Sequence, residues 1–110
     1  MAKKSNSLLQ GTLEALVLKA LSESRRHGYG IGRWIEQTTD EAFRVEEGSL
    51  YPALYRMEKR GWIEADWDIS ELGRKAKFYH LTAKGRQQLQ LETERWELFS
   101  AAISKVLLAT

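Results

Sequence analysis

The segment from Gly48 to Ile63 constrains the fold of this 110-residue chain more than any other part of it. It joins a short apolar stripe at helical spacing, a glycine that ends the helix, and a strand-like alternation. Carboxylates at Glu46 and Glu47 favour the positive end of a helix dipole, so we predict that the helix opens there. Pro52 should then lie close to the first turn, because a proline further in would clash with a carbonyl four residues back. The fold is therefore expected to centre on a short helix that leads into a strand.

A β-hairpin is predicted after this helix. Apolar and acidic residues alternate with the period of a half-buried strand. The apolar positions are Ile63, Ala65, Trp67 and Ile69. A turn at 70–73 then leads to a partner strand over 75–81. This arrangement places Arg74, Lys75 and Lys77 at or near the tip of the hairpin.

Helices are predicted on both sides of this central unit. Apolar residues at helical spacing indicate a first helix over roughly 8–23 and a second helix over 29–38. Thr82 is a good N-cap for a last, long helix. The order helix, helix, helix, hairpin, long helix predicts a mainly α fold with a small β-hairpin. We expect a winged helix-turn-helix domain at 1–81 and a C-terminal dimerisation helix at 82–110.

The last helix has an apolar face too wide to remain solvated alone. Its apolar residues recur mostly at spacings of three, four and seven, which is typical of helices that pack against other helices. The residues assigned to dimerisation are Leu89, Trp96, Phe99, Ile103, Val106 and Leu107. The first helix is also apolar on more than one side, so one of its surfaces is available to a second subunit.

Composition excludes several classes of protein. The chain has no cysteine, which removes disulfides, thiolate metal sites and thiol nucleophiles and suits a cytoplasmic location. Its two histidines are too isolated for a metal site, and no cofactor is expected. Without a histidine cluster or a paired-carboxylate pocket, we do not expect an enzyme. No apolar run approaches the ~20 residues that span a bilayer, so no membrane association is expected.

Charge is distributed unevenly along the chain. The net charge is only +2, but Arg74, Lys75, Lys77, Lys84 and Arg86 fall in one stretch with no acid before Glu92. A concentrated basic strip suits a partner that is met on one face, such as a phosphate backbone. A solvated hairpin tip would produce the same strip, so charge alone leaves both interpretations open.

Several motifs together resemble the PadR-like transcriptional regulators over Leu9–Leu108. The motifs are His27-Gly28-Tyr29, Gly48-Ser49-Leu50-Tyr51-Pro52-Ala53-Leu54, Arg56-Met57-Glu58 with Gly61, Arg74 through Lys77 followed by Tyr79-His80-Leu81-Thr82, and Gly85. The resemblance implies a homodimeric, usually repressing protein that binds double-stranded DNA. It points to the short branch of the family, which has a single C-terminal helix.

Helix three is expected to enter the major groove, with residues of its N-terminal half near base edges. The candidates for this role are Ser49, Tyr51, Pro52, Tyr55 and Arg56. Leu50 and Leu54 already supply the core stripe, which leaves Tyr51 and Tyr55 to face elsewhere. The alternative is that both tyrosines pack under the domain.

Two further groups of residues are candidates for contacts with the DNA backbone. The predicted hairpin over 63–81 would form the wing of this domain. From the wing, Arg74, Lys75 and Lys77 are expected to reach phosphates or the minor groove, a role that positions the protein without reading sequence. His27 and Tyr29 begin helix two, whose backbone N–H groups can hold a phosphate. A structural role is the alternative for this pair, with Tyr29 wedged between helices two and three.

Two alternatives concern the function as a whole. In the short branch that the chain resembles, a tryptophan at the position of Trp96 is associated with binding planar drugs. Two such indoles could sandwich a planar aromatic effector between subunits, or Trp96 could simply pack with Phe99 in the dimer core. We expect a dimeric repressor that reads a pseudo-palindromic operator; the rival is a winged-helix adaptor that binds protein and no DNA.

Overall fold

The structure, a computed structural model, describes the backbone of residues 2–110 and the side chains from Thr12 onward. Over these residues it contains four helices and one small sheet. The elements are α1 (Ala2–Glu23), β1 (Arg26–His27), α2 (Gly28–Thr38), α3 (Glu47–Lys59), β2 (Ile63–Ile69), β3 (Lys75–Leu81) and α4 (Ala83–Leu107). The predicted fold class, mainly α with a small hairpin and a long last helix, is confirmed.

The sheet has three antiparallel strands in the order β1-β3-β2. Strands β2 and β3 pair along their whole length, from Ile63↔Leu81 to Ile69↔Lys75, as the predicted hairpin requires. The third strand, β1, was not predicted, because Arg26 and His27 join the sheet through their backbones and carry no apolar alternation. It pairs with the free edge of β3 and thereby ties the start of α2 to the wing.

The core lies between α1, α2, α3 and the half of the sheet that contains Ile63, Tyr79 and Leu81. Its buried apolar residues are Leu13, Val17, Leu18, Ala20, Leu21, Ile31, Ile35, Leu50, Ala53, Leu54, Met57, Ile63, Tyr79 and Leu81. Helix α1 begins at Ala2, six residues before the predicted start. Of the residues that suggested this helix, Leu8 and Leu9 have side chains outside the described part. The rest of the apolar stripe of α1 is largely buried, as its periodicity indicated.

Helix α3 begins at Glu47 with Glu46 as its N-cap, as predicted. Pro52 was expected close to the first turn; it is the sixth residue of the helix and lies in the second turn, just past the first. A proline has no N–H, so the Gly48 carbonyl has no helical donor at this point. Because Gly48 and Pro52 are both exposed, water can satisfy that carbonyl.

Helix α4 is anchored at its N-terminus to the turn between α3 and β2. The hydroxyl of Thr82 accepts a hydrogen bond from Gly85 N–H at 3.0 Å and donates to the carbonyl of Gly61 at 2.6 Å. Thr82 is thus the predicted N-cap. From there α4 packs along α1. The longest dimension of the chain is 55 Å.

Candidate nucleic-acid interface

The outward face of α3 is exposed along its whole length. At 100° per residue, the side opposite the buried stripe carries Gly48, Pro52, Tyr55 and Lys59, and all four are exposed. The ammonium of Lys59 lies 5.3 Å from the centre of the Tyr55 ring. The alternative that Tyr55 packs under the domain is therefore wrong. This face presents an aromatic ring and a cation to a partner.

Tyr51 lies on the flank of α3 that faces α2. Its ring packs over Gly28 so closely that a Cβ built on this glycine would come within 2.4 Å of the Tyr51 hydroxyl oxygen. Burial, and then the carboxylate of Glu47, raise the pKa of Tyr51 above its usual value. The side chain is nevertheless 44% exposed. Tyr51 therefore combines a fixed position with a neutral hydroxyl that can donate and accept hydrogen bonds.

Arg56 lies on the other flank of α3 and is bound by a carboxylate from α1. Its Nε donates to Oε2 of Glu14 at 3.0 Å, and Nη1 of Arg60 donates to Oε1 of the same residue at 3.0 Å. A guanidinium has five N–H donors, so the Nη groups of Arg56 remain available. Glu14 therefore fixes the orientation of Arg56 and couples α3 to α1.

The three predicted cations of the wing differ in their surroundings. Arg74 and Lys75 are exposed, and among residues 12–110 neither has a carboxylate partner. Lys77 lies near the tip, as predicted, since it pairs with Trp67, two residue pairs in from the Ile69↔Lys75 pair that ends the hairpin. Its ammonium donates to Oε1 of Glu58 at 3.3 Å. Arg74 and Lys75 thus carry charge that is free for phosphates, whereas the charge of Lys77 is partly neutralised.

His27 is the N-cap of α2 and uses both ring nitrogens within the chain. Nδ1 accepts from the N–H of Gly30 at 3.0 Å, and Nε2 lies 3.4 Å from Oε1 of Glu71 at the wing tip. The hydrogen bond to His27, after one to its own backbone, lowers the pKa of Glu71. His27 thereby ties α2 to the wing tip and occupies the Gly30 amide, one of those that a phosphate at this helix end would use.

Tyr29 stands beside this cap with its side chain 69% exposed. The alternative in which Tyr29 wedges between α2 and α3 is therefore wrong. Its ring centre lies 6.4 Å from that of His27. Tyr29 is thus available to a partner at the mouth of the space between α2 and the wing.

A shallow cleft of about 380 Å³ brings together the predicted residues of α2, α3 and the wing. The predicted residues that line it are His27, Tyr29, Tyr51, Arg74, Lys75 and Lys77. The other predicted residues, Ser49, Pro52, Tyr55 and Arg56, lie on α3 outside the cleft. A half-buried position makes Ser49 the least accessible of these four. The cleft and the outward face of α3 together form one continuous candidate surface.

Comparison with known proteins identifies the family to which this arrangement belongs. The family model for PadR-like transcriptional regulators matches residues 17–91. The chain belongs to the PadR-like family. It is therefore a DNA-binding transcriptional regulator and not an enzyme. The resemblance seen in the sequence is confirmed.

Solved structures agree with this assignment. A PadR-like transcriptional regulator from Bacillus cereus is 34% identical, with a TM-score of 0.82 over 94% of this chain and 99% of that one. A transcriptional regulator from Clostridium thermocellum is 30% identical, with a TM-score of 0.83 over 92% and 98% of the two chains. An uncharacterized protein of Lysinibacillus sphaericus is 33% identical over 83% of this chain and 84% of its own length.

In this PadR-like regulator a second concave surface lies between α1 and α4. It is an apolar groove of about 590 Å³ that also contacts the α2–α3 link. Its lining residues include Ala15, Leu16, Phe43, Trp96 and Phe99. Trp96 is 56% exposed, and its ring centre lies 6.1 Å from that of Phe99. The carboxylate of Glu92 lies at the same groove and accepts from the Gln88 amide at 2.8 Å.

The predicted dimerisation stripe of α4 is exposed over most of its length. The exposed members are Trp96, Phe99, Ile103, Val106 and Leu107. Leu89 differs, because it is partly buried against the core of its own chain, four residues beyond the buried Gly85. Part of the surface of Leu89 is therefore used within its own subunit, and its role in dimerisation stays a prediction.

Trp67 and Lys59 belong to the candidate surface but were not predicted from the sequence as site residues. Trp67 lines the cleft, but the alternation of β2 assigned it to the core. Lys59 lies on the outward face of α3, four residues after Tyr55 and seven after Pro52. This helical spacing is a signal in the sequence that could have identified Lys59. No comparable signal distinguishes Trp67 from Ile63, since both have the same strand parity.

The described residues contain no group of three or more His, Cys, Asp or Glu side chains placed to hold a metal ion. None of the described helices combines the length and the apolar character needed to cross a membrane.

Proposed function

We propose that this PadR-like regulator binds a pseudo-palindromic operator as a homodimer and represses transcription by occluding a promoter. The observation that carries the proposal is the continuous surface formed by the outward face of α3 and the cleft beside the wing. It presents Tyr51 and Tyr55 together with Arg74 and Lys75, two cations that have no carboxylate partner among residues 12–110. Such a surface suits α3 in the major groove and the wing on the backbone or in the minor groove.

The homodimer is inferred from α4. Its exposed apolar residues run from Trp96 to Leu107, and a contiguous apolar surface of this kind marks an interaction site. A dimer joined through this helix would present two copies of α3, and we expect them to read half-sites about one helical turn of DNA apart, as helix-turn-helix dimers do. Residues 1–81 would then read DNA while 82–110 join the subunits. A regulator meets its operator where DNA is held, which agrees with the cytoplasmic location expected from the sequence.

We further propose that a planar aromatic effector binds at Trp96. The groove offers three aromatic rings, Trp96 and Phe99 on α4 and Phe43 on the α2–α3 link, and its other wall is α1. The same helix carries Glu14, which holds Arg56 of α3 and Arg60, the residue that caps α3. If an effector shifts α1, this movement would be transmitted through Glu14 to α3. The spacing of the two copies of α3 in the dimer would then change.

Selection of bound sites from random duplex DNA by the purified protein tests these proposals. We expect an enriched sequence with two-fold symmetry, and a Tyr51→Ala variant that binds it more weakly. A panel of planar compounds should lower the affinity for that site and quench Trp96 fluorescence, with Trp96→Phe insensitive to both. Absence of any enriched duplex would favour a protein-binding adaptor, and equal operator affinity with and without all compounds would contradict the effector.

A further inference from the structure

Trp67 is an exposed indole on the distal part of β2, where Ile69 on the same face is exposed as well. On the same face of β2, Ile63 is buried and Ala65 is half-buried, but Trp67 is 64% exposed. The buried part of this face of the sheet therefore ends between Ala65 and Trp67. An exposed indole contributes little to the stability of the folded chain, whereas tryptophan is enriched at interfaces with partners. Its exposure therefore indicates contact with another molecule.

The surroundings of Trp67 define the chemistry of that molecule. The ring shares the cleft with Tyr51 and Leu72, so part of the surface is apolar. The ammonium of Lys75 lies 5.7 Å from the centre of the indole ring. Arg74 lines the same cleft, and none of the described residues that line it is acidic. The partner must therefore combine apolar patches with closely spaced negative charge.

A strand of duplex DNA has this pattern along its backbone. Anionic phosphates alternate with deoxyribose rings, whose C–H faces are apolar. Phosphates can pair with Arg74 and Lys75, which have no carboxylate partner among residues 12–110. The indole of Trp67, next to the Lys75 ammonium in the same cleft, can then lie on a sugar. An acidic protein would satisfy the cations, but it would not supply an apolar face at each interval between charges.

We propose that Trp67 is a further DNA-contacting residue, which packs its indole against a deoxyribose of the strand whose phosphates bind Arg74 and Lys75. This inference rests on the proposed binding of DNA by the wing. It adds an uncharged contact to a surface whose other wing contacts are ionic. Because a sugar is common to all nucleotides, Trp67 contributes affinity without reading sequence.

Ionic and apolar contacts can be separated by their dependence on salt. A lost phosphate contact flattens the slope of log affinity against log salt by about 0.9, whereas a lost apolar contact leaves the slope unchanged. The full-length protein and its variants would be titrated with a fluorescently labelled duplex of mixed sequence at several salt concentrations. Thermal unfolding of each variant would establish that it is folded.

Trp67→Ala is expected to weaken binding about tenfold at every salt concentration with the slope of the wild type, in the range of side-chain contacts to nucleic acid. Lys75→Ala should flatten the slope by about 0.9. Ile69→Ala is the matched control, because Ile69 lies on the same face of β2 and is 61% exposed, but does not line the cleft. Its affinity should equal that of the wild type.

Equal affinities of Trp67→Ala and Ile69→Ala, with wild-type binding intact, would overturn this inference alone. A loss seen only with single-stranded DNA would also overturn it, because the indole would then stack on unpaired bases. Failure of the wild type to bind any duplex would overturn the proposed function, and this inference with it.

Discussion

At the scale of single residues, the availability of charge distinguishes cations that the sequence treats alike. Lys75 and Lys77 lie two positions apart on β3 with the same parity. Only Lys77 has a carboxylate partner, Glu58, and the ring of Tyr79 lies 5.6 Å from its ammonium. A phosphate that binds Lys77 must compete with this ion pair. The two lysines should therefore contribute unequally to DNA affinity.

Lys77→Ala is expected to flatten the salt dependence of DNA binding by clearly less than the slope change of about 0.9 for one full phosphate contact. Glu58→Gln should have the opposite effect, because it frees the ammonium of Lys77 and steepens the slope. Fluorescence titrations of a labelled duplex across salt concentrations measure both. Equal flattening by Lys75→Ala and Lys77→Ala would contradict the role assigned to the Glu58–Lys77 pair.

Residue-level prediction from the sequence succeeded where the determinant was local. The apolar spacing of Leu50 and Leu54 fixed the inward side of α3, which left Tyr51 and Tyr55 partly or largely exposed. It failed where the determinant was a distant partner. Glu14 lies 42 residues before Arg56, and nothing in local spacing indicates that the two side chains meet.

At the scale of elements, one close approach fixes α4 against the turn between α3 and β2. A Cβ built on Gly85 would come within 2.0 Å of the backbone oxygen of Trp62, which cannot move without breaking the turn. Gly48 is a helical glycine in the first turn of α3, and a Cβ there would meet nothing within 4 Å. The two glycines thus differ in packing while sharing a position near a helix N-terminus.

Gly85→Ala should lower the free energy of unfolding by about 2 kcal/mol, as overpacking against backbone does. Gly48→Ala is the control and should raise the free energy of unfolding by about 0.5 kcal/mol, because alanine is the better helix former. Urea unfolding followed by circular dichroism gives both values. A Gly85→Ala protein as stable as the wild type would show that α4 does not pack this closely.

Element prediction was most accurate where periodicity and a terminating residue agreed. Helix α2, both strands of the hairpin and the Thr82 cap of α4 were all placed within a residue. The short strand β1 was missed because pairing of two residues depends on the neighbouring edge of β3. Pro52 is tolerated in the second turn of α3 because solvent, not a helical donor, can satisfy the Gly48 carbonyl.

At the scale of the whole molecule, the chain is more extended than a compact protein of its length. Its radius of gyration is 15.1 Å, and about 13 Å is expected for a compact domain of this size. The extension comes from α4, whose residues after Ser100 are all exposed. The apolar face of α4 is left uncovered in a single chain, and this is the structural basis for proposing that a second copy of the protein covers it.

A charge placed in the apolar stripe of α4 should separate the subunits. Ile103→Glu would bury a carboxylate between two apolar helices, so we expect a monomer. Leu98→Glu is the matched control: Leu98 is exposed, but its side chain lies about 140° from Ile103 around the helix. This variant should remain dimeric. Monomeric behaviour of both variants would show that the stripe was assigned to the wrong side of α4.

The mass of the protein–duplex complex by analytical ultracentrifugation tests most directly whether two copies read one operator. For the wild type and Leu98→Glu, we predict two chains on each duplex that carries the selected symmetric site. Ile103→Glu should bind far more weakly, and one chain at a time. A wild-type complex with a single chain per duplex, at protein concentrations that saturate the site, would contradict the account.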